Sequence, residues 1–261
     1  MPDDESPVLV AIRERKMYIT LNRPASLNAH DEGMRRELIA AYDRLDEDDD
    51  LLVGIIDGAG RAFSAGADLK EQAQQDPAAL VGGSRGLTND HYGRLEQVRK
   101  PVLACIHGYA VGGGLEVALC CDIRLATEDA LLGTPEARTQ GGLPGVAVHR
   151  LAQVIPKGEA LKIMYSSQPI TGRRAYEIGL VQELAPDKAS MMATADRLAD
   201  QIVECNPASI VVIKQVATWL HAQDIAASQQ FMASAQARIP VVKGGRRGAE
   251  FLAQRSDQHA G

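Results

Sequence analysis

Two short segments hold the residues best suited to chemistry. Ala62-Phe63-Ser64-Ala65-Gly66-Ala67-Asp68-Leu69 is small and polar where a strand should have ended. Gly108-Tyr109-Ala110-Val111-Gly112-Gly113-Gly114-Leu115-Glu116 is a glycine run opening into an apolar helix. Each follows a β-rich run, and each leaves backbone N–H groups with no side chain to shield them. Two such N–H groups facing one point make an oxyanion hole, and a carboxylate, Glu116, follows close behind the second. That combination points to chemistry on a carbonyl or a thioester.

Elements must hold those segments in place. Val8 to Ile12 and Met17 to Leu21 read as a β-hairpin around Arg13-Glu14-Arg15-Lys16. Asp31 caps a helix running to about Leu45, with Met34, Leu38, Ala41 and Leu45 on one face. Leu51 to Ile56, Val102 to Ile106 and Ile123 to Ala126 read as strands, Ala130 to Leu132 as a short one, and Leu115 to Cys120 as a buried helix. Glu71 to Asn89 breaks every period and reads as a long loop or a short helix with a flexible tip, the kind of segment that forms pocket walls. Beyond Pro144 the chain turns helical: Val146 to Val154, Gly158 to Tyr165, and Gly172 to Ile178 capped by Thr171 and ended by Gly179. Leu180 to Leu184 reads as one more strand. From Asp187 the pattern is helix throughout: to Cys205, from Pro207 to Leu220, from Asp224 to Arg238, and after Lys243. The expected organisation is a core at 1–186 carrying the site and a helical C-terminal region at 187–261.

A chain of 261 residues can bury a large core. Its 45% hydrophobic and 24% charged residues are ordinary for a globular protein, and with only 4% aromatics the core must rest on Val, Ile, Leu and Ala. A net charge of −6 disfavours a general nucleic-acid binder but leaves room for a local basic patch. None of Cys105, Cys120, Cys121 and Cys205 has CxxC spacing, so no metal site is expected and all four read as buried reduced thiols. Met1 to Pro7 is acidic without an apolar signal core, and no apolar stretch reaches membrane-spanning length; the expectation is a cytoplasmic protein with no membrane partner.

Asn22-Arg23-Pro24 with Leu27-Asn28-Ala29, Ala62 to Lys70, Gly108 to Glu116 with Cys121-Asp122-Ile123, and Thr171-Gly172-Arg173-Arg174-Ala175 with Gly179-Leu180-Val181 occur in order. Together they resemble the crotonase superfamily, the enoyl-CoA hydratases and isomerases, from about residue 8 to residue 255. The resemblance implies an α/β fold, a spiral of repeated β-β-α units with a helical C-terminal region that packs trimers, and assembly as a homotrimer or a hexamer made of two trimers. It implies an acyl-CoA substrate and no cofactor beyond the CoA moiety of that substrate. By motif position the oxyanion donors are the N–H groups of Ala67 and Gly113. Ala65, Asp68, Leu69, Lys70 and Gly112 are expected against the substrate, with Asp68 structural rather than chemical and Lys70 toward the nucleotide end. Lys243, Arg246, Arg247 and Arg255 are further candidates for the CoA phosphates, since Gln254 stands where the family pattern has a lysine.

The superfamily's hydratases use two glutamates, matched here by Glu116 and Glu136. Adding water across an α,β double bond needs a water deprotonated at Cβ and a proton delivered at Cα, and two carboxyl groups around one water can divide these tasks. The resemblance therefore implies a lyase of acyl-CoA metabolism converting a 2-enoyl-CoA to a 3-hydroxyacyl-CoA, or the reverse. The alternatives are a 3-enoyl-CoA to 2-enoyl-CoA isomerase, which needs only one carboxylate, and a family member without catalysis that binds acyl-CoA or RNA. Downstream of Glu136, Arg138 and Gln140 add polarity that departs from the hydratase pattern; either the acyl group carries its own polar or carboxylate function, or Arg138 points to solvent or a subunit contact. His107 reads as a neutral strand-end histidine. The glycine run lacks the GxGxxG spacing of a nicotinamide site.

Overall fold

The computed structural model describes residues 6–68, 71, 91–139 and 145–220. Its strands are β1 (Val8–Arg13), β2 (Lys16–Leu21), β3 (Val53–Gly58), β4 (Val102–Ile106), β5 (Tyr109–Val111), β6 (Ile123–Thr127), β7 (Leu131–Gly133), β8 (Ile170–Thr171) and β9 (Glu183–Ala185). Its helices are α1 (Glu32–Glu47), α2 (His91–Gln97), α3 (Gly113–Cys120), α4 (Glu136–Thr139), α5 (Gly145–Val154), α6 (Lys157–Ser166), α7 (Gly172–Glu177), α8 (Lys188–Val203) and α9 (Pro207–Leu220).

The expected hairpin is present. β1 and β2 run antiparallel from Val8 opposite Leu21 to Arg13 opposite Lys16. Glu14 and Arg15 close it with φ of 47° and 67°, the left-handed pair of a tight two-residue turn. From β2 onward the large sheet is parallel, in the order β1-β2-β3-β4-β6-β9. A parallel sheet is covered on both faces, so its strands are apolar on both. Ile56, Val102, Ala104 and Ile106 face one core with α1, α3 and α5. Val53, Ile55, Leu103, Cys105 and Leu125 face another, closed by Met191, Ala195 and Ala199 of α8. Burying a side chain such as Met191 contributes about 2 kcal/mol.

A second, smaller sheet has the order β5-β7-β8. β5 follows β4 after a two-residue corner and β7 follows β6 after a three-residue one, and the two short strands pair parallel. Isolated parallel bridges continue this layer backward, Ser64 to Ala110 and His30 to Ala67. Successive turns of the chain therefore each lay a long strand in one sheet and a short extended segment in the other before a helix returns, which is the expected β-β-α spiral. The candidate segments fall where the short layer ends: Ser64–Asp68, Gly112–Gly113 and Thr134–Glu136.

Helix ends follow the sequence signals. Asp31 accepts from the Met34 N–H at 2.9 Å and Thr171 from the Arg174 N–H at 3.2 Å. Other expectations need correction. Leu180 and Val181 are not strand: past Gly179, at φ 81°, both N–H groups donate to the Ala175 carbonyl and close α7. Cys205 is exposed rather than buried, because it follows the end of α8; its Sγ donates to the Gln201 carbonyl. β5, β8 and α2 were not anticipated, being too short to show a period.

The chain divides into two compact units, Met1–Lys214 and Gln215–Gly261. The expected boundary at 186/187 falls between β9 and α8 and lies inside the first unit. The expected helices from Asp224 onward, and all of the Glu71 to Asn89 loop but its first residue, fall outside the described residues. No helix among the described residues is long and apolar enough to cross a membrane.

Candidate active site

The 62–68 segment is held from below by residues of the first motif. Asn28 is fully buried, and its amide nitrogen donates to the carbonyls of Ala59, Ala62 and Phe63 at 2.9, 2.8 and 3.1 Å. Its amide oxygen accepts from the Arg23 N–H at 2.9 Å. The Arg23 guanidinium pairs with Asp31 and Asp68, both at 3.0 Å. Asp68 is thus bound to the fold. Ala65 is half-buried beside Gly66. Leu69 and Lys70 lie outside the described residues.

The two motif segments touch. Gly66, at φ 90°, lies so close that a Cβ there would come 2.7 Å from the Val111 carbonyl oxygen and 2.8 Å from the Gly113 nitrogen. A Cβ on Gly113 would lie 3.4 Å from the Ala67 nitrogen. The Ala67 and Gly113 amides therefore neighbour one another. In the His30–Ala67 bridge the hydrogen bonds run from the His30 N–H to the Gly66 carbonyl and from the Asp68 N–H to the His30 carbonyl, so the Ala67 N–H is turned the other way. Gly113 opens α3, where the first N–H groups have no intrahelical acceptor. Neither N–H meets an acceptor among the described residues.

Both expected glutamates come to this corner. Glu116 is 7% exposed in the first turn of α3. Its Oε1 accepts from the Ala147 N–H at 3.4 Å, at the N-terminus of α5, where the helix dipole favours a negative charge. Glu136 opens α4 just past β7. Its Oε1 lies over Gly112, where a Cβ would come within 2.8 Å of it; the glycine, at φ 54°, makes that approach possible. Its Oε2 is buried and has no hydrogen-bond partner among the described residues. Burial pushes the Glu136 carboxyl above its ordinary pKa; its own backbone N–H offsets part of the rise, and the nearby Glu116 charge adds to it.

Behind the corner is a polar chain that sequence reasoning missed. Ser64 Oγ donates to the Asn28 carbonyl at 2.8 Å, accepts from the Gly66 N–H at 3.1 Å, and lies 3.0 Å from His30 Nε2. His30 Nδ1 lies 3.3 Å from His91 Nε2. One assignment satisfies all four contacts: His30 Nε2–H donates to Ser64, and His91 Nε2–H donates to His30 Nδ1. His91 in turn packs against the Tyr92 ring, centroids 3.9 Å apart. These residues are scattered through the sequence, so no local spacing could have joined them.

Other expectations resolve plainly. His107 donates from Nε2 to the Gly60 carbonyl at 2.9 Å, and burial lowers its pKa, so it is a neutral strand-end residue. Arg138 is exposed, reaches the Ser166 carbonyl at 3.4 Å, and, with the Gln168 amide turned to accept, bonds Gln168 as well. Gln140, Lys243, Arg246, Arg247, Gln254 and Arg255 lie outside the described residues. Among the described residues no cluster of His, Cys, Asp or Glu is placed to hold a metal ion.

The sequence model of the enoyl-CoA hydratase/isomerase family matches residues 12–240. The chain belongs to that family. A 2,3-dehydroadipyl-CoA hydratase of Escherichia coli is 35% identical over 211 residues, 80% of this chain and 81% of that protein. A short-chain-enoyl-CoA hydratase of Clostridium acetobutylicum is 35% identical over 200 residues, covering 76% of this chain and 75% of that protein. Among solved structures, enoyl-CoA hydratase from Mycobacterium tuberculosis superimposes with a TM-score of 0.83 at 32% identity, over 96% of this chain and 97% of that one. The architecture is therefore the crotonase fold, and the chain is an enzyme, a lyase of the enoyl-CoA hydratase kind.

Proposed function

We propose that the enzyme adds water across the double bond of a 2-enoyl-CoA to give a 3-hydroxyacyl-CoA, or runs the reverse dehydration, at the corner shared by Ala67, Gly113, Glu116 and Glu136. The observation that carries this reading is the approach of the half-buried Glu136 carboxylate to Gly112, with the buried Glu116 near enough to act on its charge, beside amides that await an acceptor. The thioester oxygen accepts from the Ala67 and Gly113 N–H groups, each worth on the order of 3 kcal/mol as charge builds toward an enolate. The α3 dipole adds to the same field. Glu116, which accepts from the Ala147 N–H at the start of α5, takes a proton from a water whose oxygen bonds to Cβ. Glu136, in its protonated form, gives its proton to Cα, and the enolate electrons return to the thioester carbonyl. The proton taken up by Glu116 then passes to Glu136, which restores both carboxyl groups for the next turnover. Ala65, Asp68, Leu69, Lys70 and Gly112 border the acyl-CoA, and no cofactor is needed beyond the CoA it carries. The enzyme works as a homotrimer or a pair of trimers.

Glu116→Gln tests the assignment. Hydration of crotonyl-CoA is expected to fall 10²- to 10⁴-fold, roughly the contribution of a positioned base. Unchanged hydration overturns the two-glutamate reading, and retained conversion of a 3-enoyl-CoA to its 2-enoyl form favours the isomerase, which needs Glu136 alone. The same assay on the unmutated enzyme, with crotonyl-CoA beside a carboxylated enoyl-CoA such as 2,3-dehydroadipyl-CoA, reads the polarity of the acyl chain.

A further inference from the structure

Gly113 faces more than the Ala67 amide. A Cβ on Gly113 would collide with the Tyr92 hydroxyl and lie 3.4 Å from the Ala67 nitrogen, so both groups border the same point beside Gly113. The side chain reaches it from α2, with its ring partly buried against the core. His91 lies against that ring at 38° between planes, and His91 is tied through His30 to Ser64, which accepts the Gly66 N–H. One polar chain therefore fixes both the loop presenting the Ala67 amide and the plane of the tyrosine.

We propose that Tyr92 Oη is a third hydrogen-bond donor to the thioester oxygen, beside the two amides. The inference rests on the assignment of Ala67 and Gly113 above and adds a side chain to it. A phenol donates a stronger hydrogen bond as its acceptor gains charge, so the contact tightens from thioester to enolate and acts on the rate more than on binding. It also gives a local reason for glycine at 113: any side chain there would push the hydroxyl off the oxygen.

The test uses the full-length enzyme, Tyr92→Phe, and 4-dimethylaminocinnamoyl-CoA, whose absorption band moves to longer wavelength as its carbonyl is polarised. The expected result is a band shift clearly smaller in Tyr92→Phe than in the unmutated enzyme, with kcat for crotonyl-CoA about tenfold to a hundredfold lower and KM changed much less. A 3-fluorotyrosine at position 92, a stronger donor of nearly the same shape, should enlarge the shift, and it serves if Tyr92→Phe fails to fold. A full red shift and full kcat in Tyr92→Phe overturn the proposal and leave Tyr92 an apolar wall. A probe that binds the unmutated enzyme without any red shift instead removes the amide pair, and this inference falls with it.

Discussion

At Glu136, function and stability oppose each other. Its carboxyl is half-buried, one oxygen lacks a partner among the described residues, and Glu116 adds like charge nearby. Burial and that charge raise its pKa in the folded state, so the folded protein holds the proton more tightly than the unfolded chain. The sign follows: stability falls as pH rises from the ordinary carboxylate range through the raised value, and stays lower above it. Glu136→Gln removes a group that must ionise in a poor environment. The variant should melt at a higher temperature than the parent at pH 7, and that gain should vanish below about pH 4, where the parent's carboxyl is neutral in both states. Its hydration rate should fall by roughly 10²-fold or more. Melting curves across this pH range, with kcat at each point, check both halves. A pH-independent difference in melting temperature would mean that shape, not charge, sets the effect.

The elements around the site are cross-braced by a few buried polar side chains rather than by loop-to-loop apolar contact. Asn28 is the clearest case, since it bonds three carbonyls of the 59–63 turn and the Arg23 N–H. Asn28→Ala strands those groups in a buried place at a cost of about 1–3 kcal/mol for each one that finds no water. Urea denaturation should show a loss of at least about 3 kcal/mol, with kcat reduced because the Ala67 amide loses its support; a loss under about 1 kcal/mol would mean that water replaces the side chain. The strands and long helices could be read from the chain because their apolar periods and caps are local: β4 and α9 have the expected bounds, and Asp31 and Thr171 cap as expected. The 62–69 and 108–116 segments and both glutamates were legible as motifs. What could not be read is how they meet. The Gly66 contact with Val111 and Gly113, the lean of Glu136 over Gly112, and the Ser64–His30–His91–Tyr92 chain all depend on which turns of the spiral become neighbours. Leu180-Val181 misled for a related reason: an apolar pair after a helix-ending glycine looks like a strand, although its amides close the helix.

For the whole molecule the open surface is the telling feature. One face of α9 is docked: Pro207, Ile210 and Val211 line a small cavity together with Leu52 and Pro101, and the Lys214 ammonium binds the Lys100 carbonyl and Asp122. Val212 and Ile213 lie beyond that cavity lining, and Ile213 is 62% exposed. A large apolar side chain left open on an otherwise docked helix is a natural contact for another subunit. The trimer expected from the resemblance would supply such a contact. Ile213→Glu puts a charge on the outward face and leaves the docked face alone, so the subunit should keep its circular dichroism. Light scattering at micromolar concentration should then give a mass closer to one chain than that of the unmutated enzyme, with hydration activity falling as the assembly is diluted. Equal masses for the two proteins would show that this face of α9 does not carry the contact between subunits, and the assembly, if there is one, must be built on other surfaces such as that around Tyr165, 78% exposed at the end of α6.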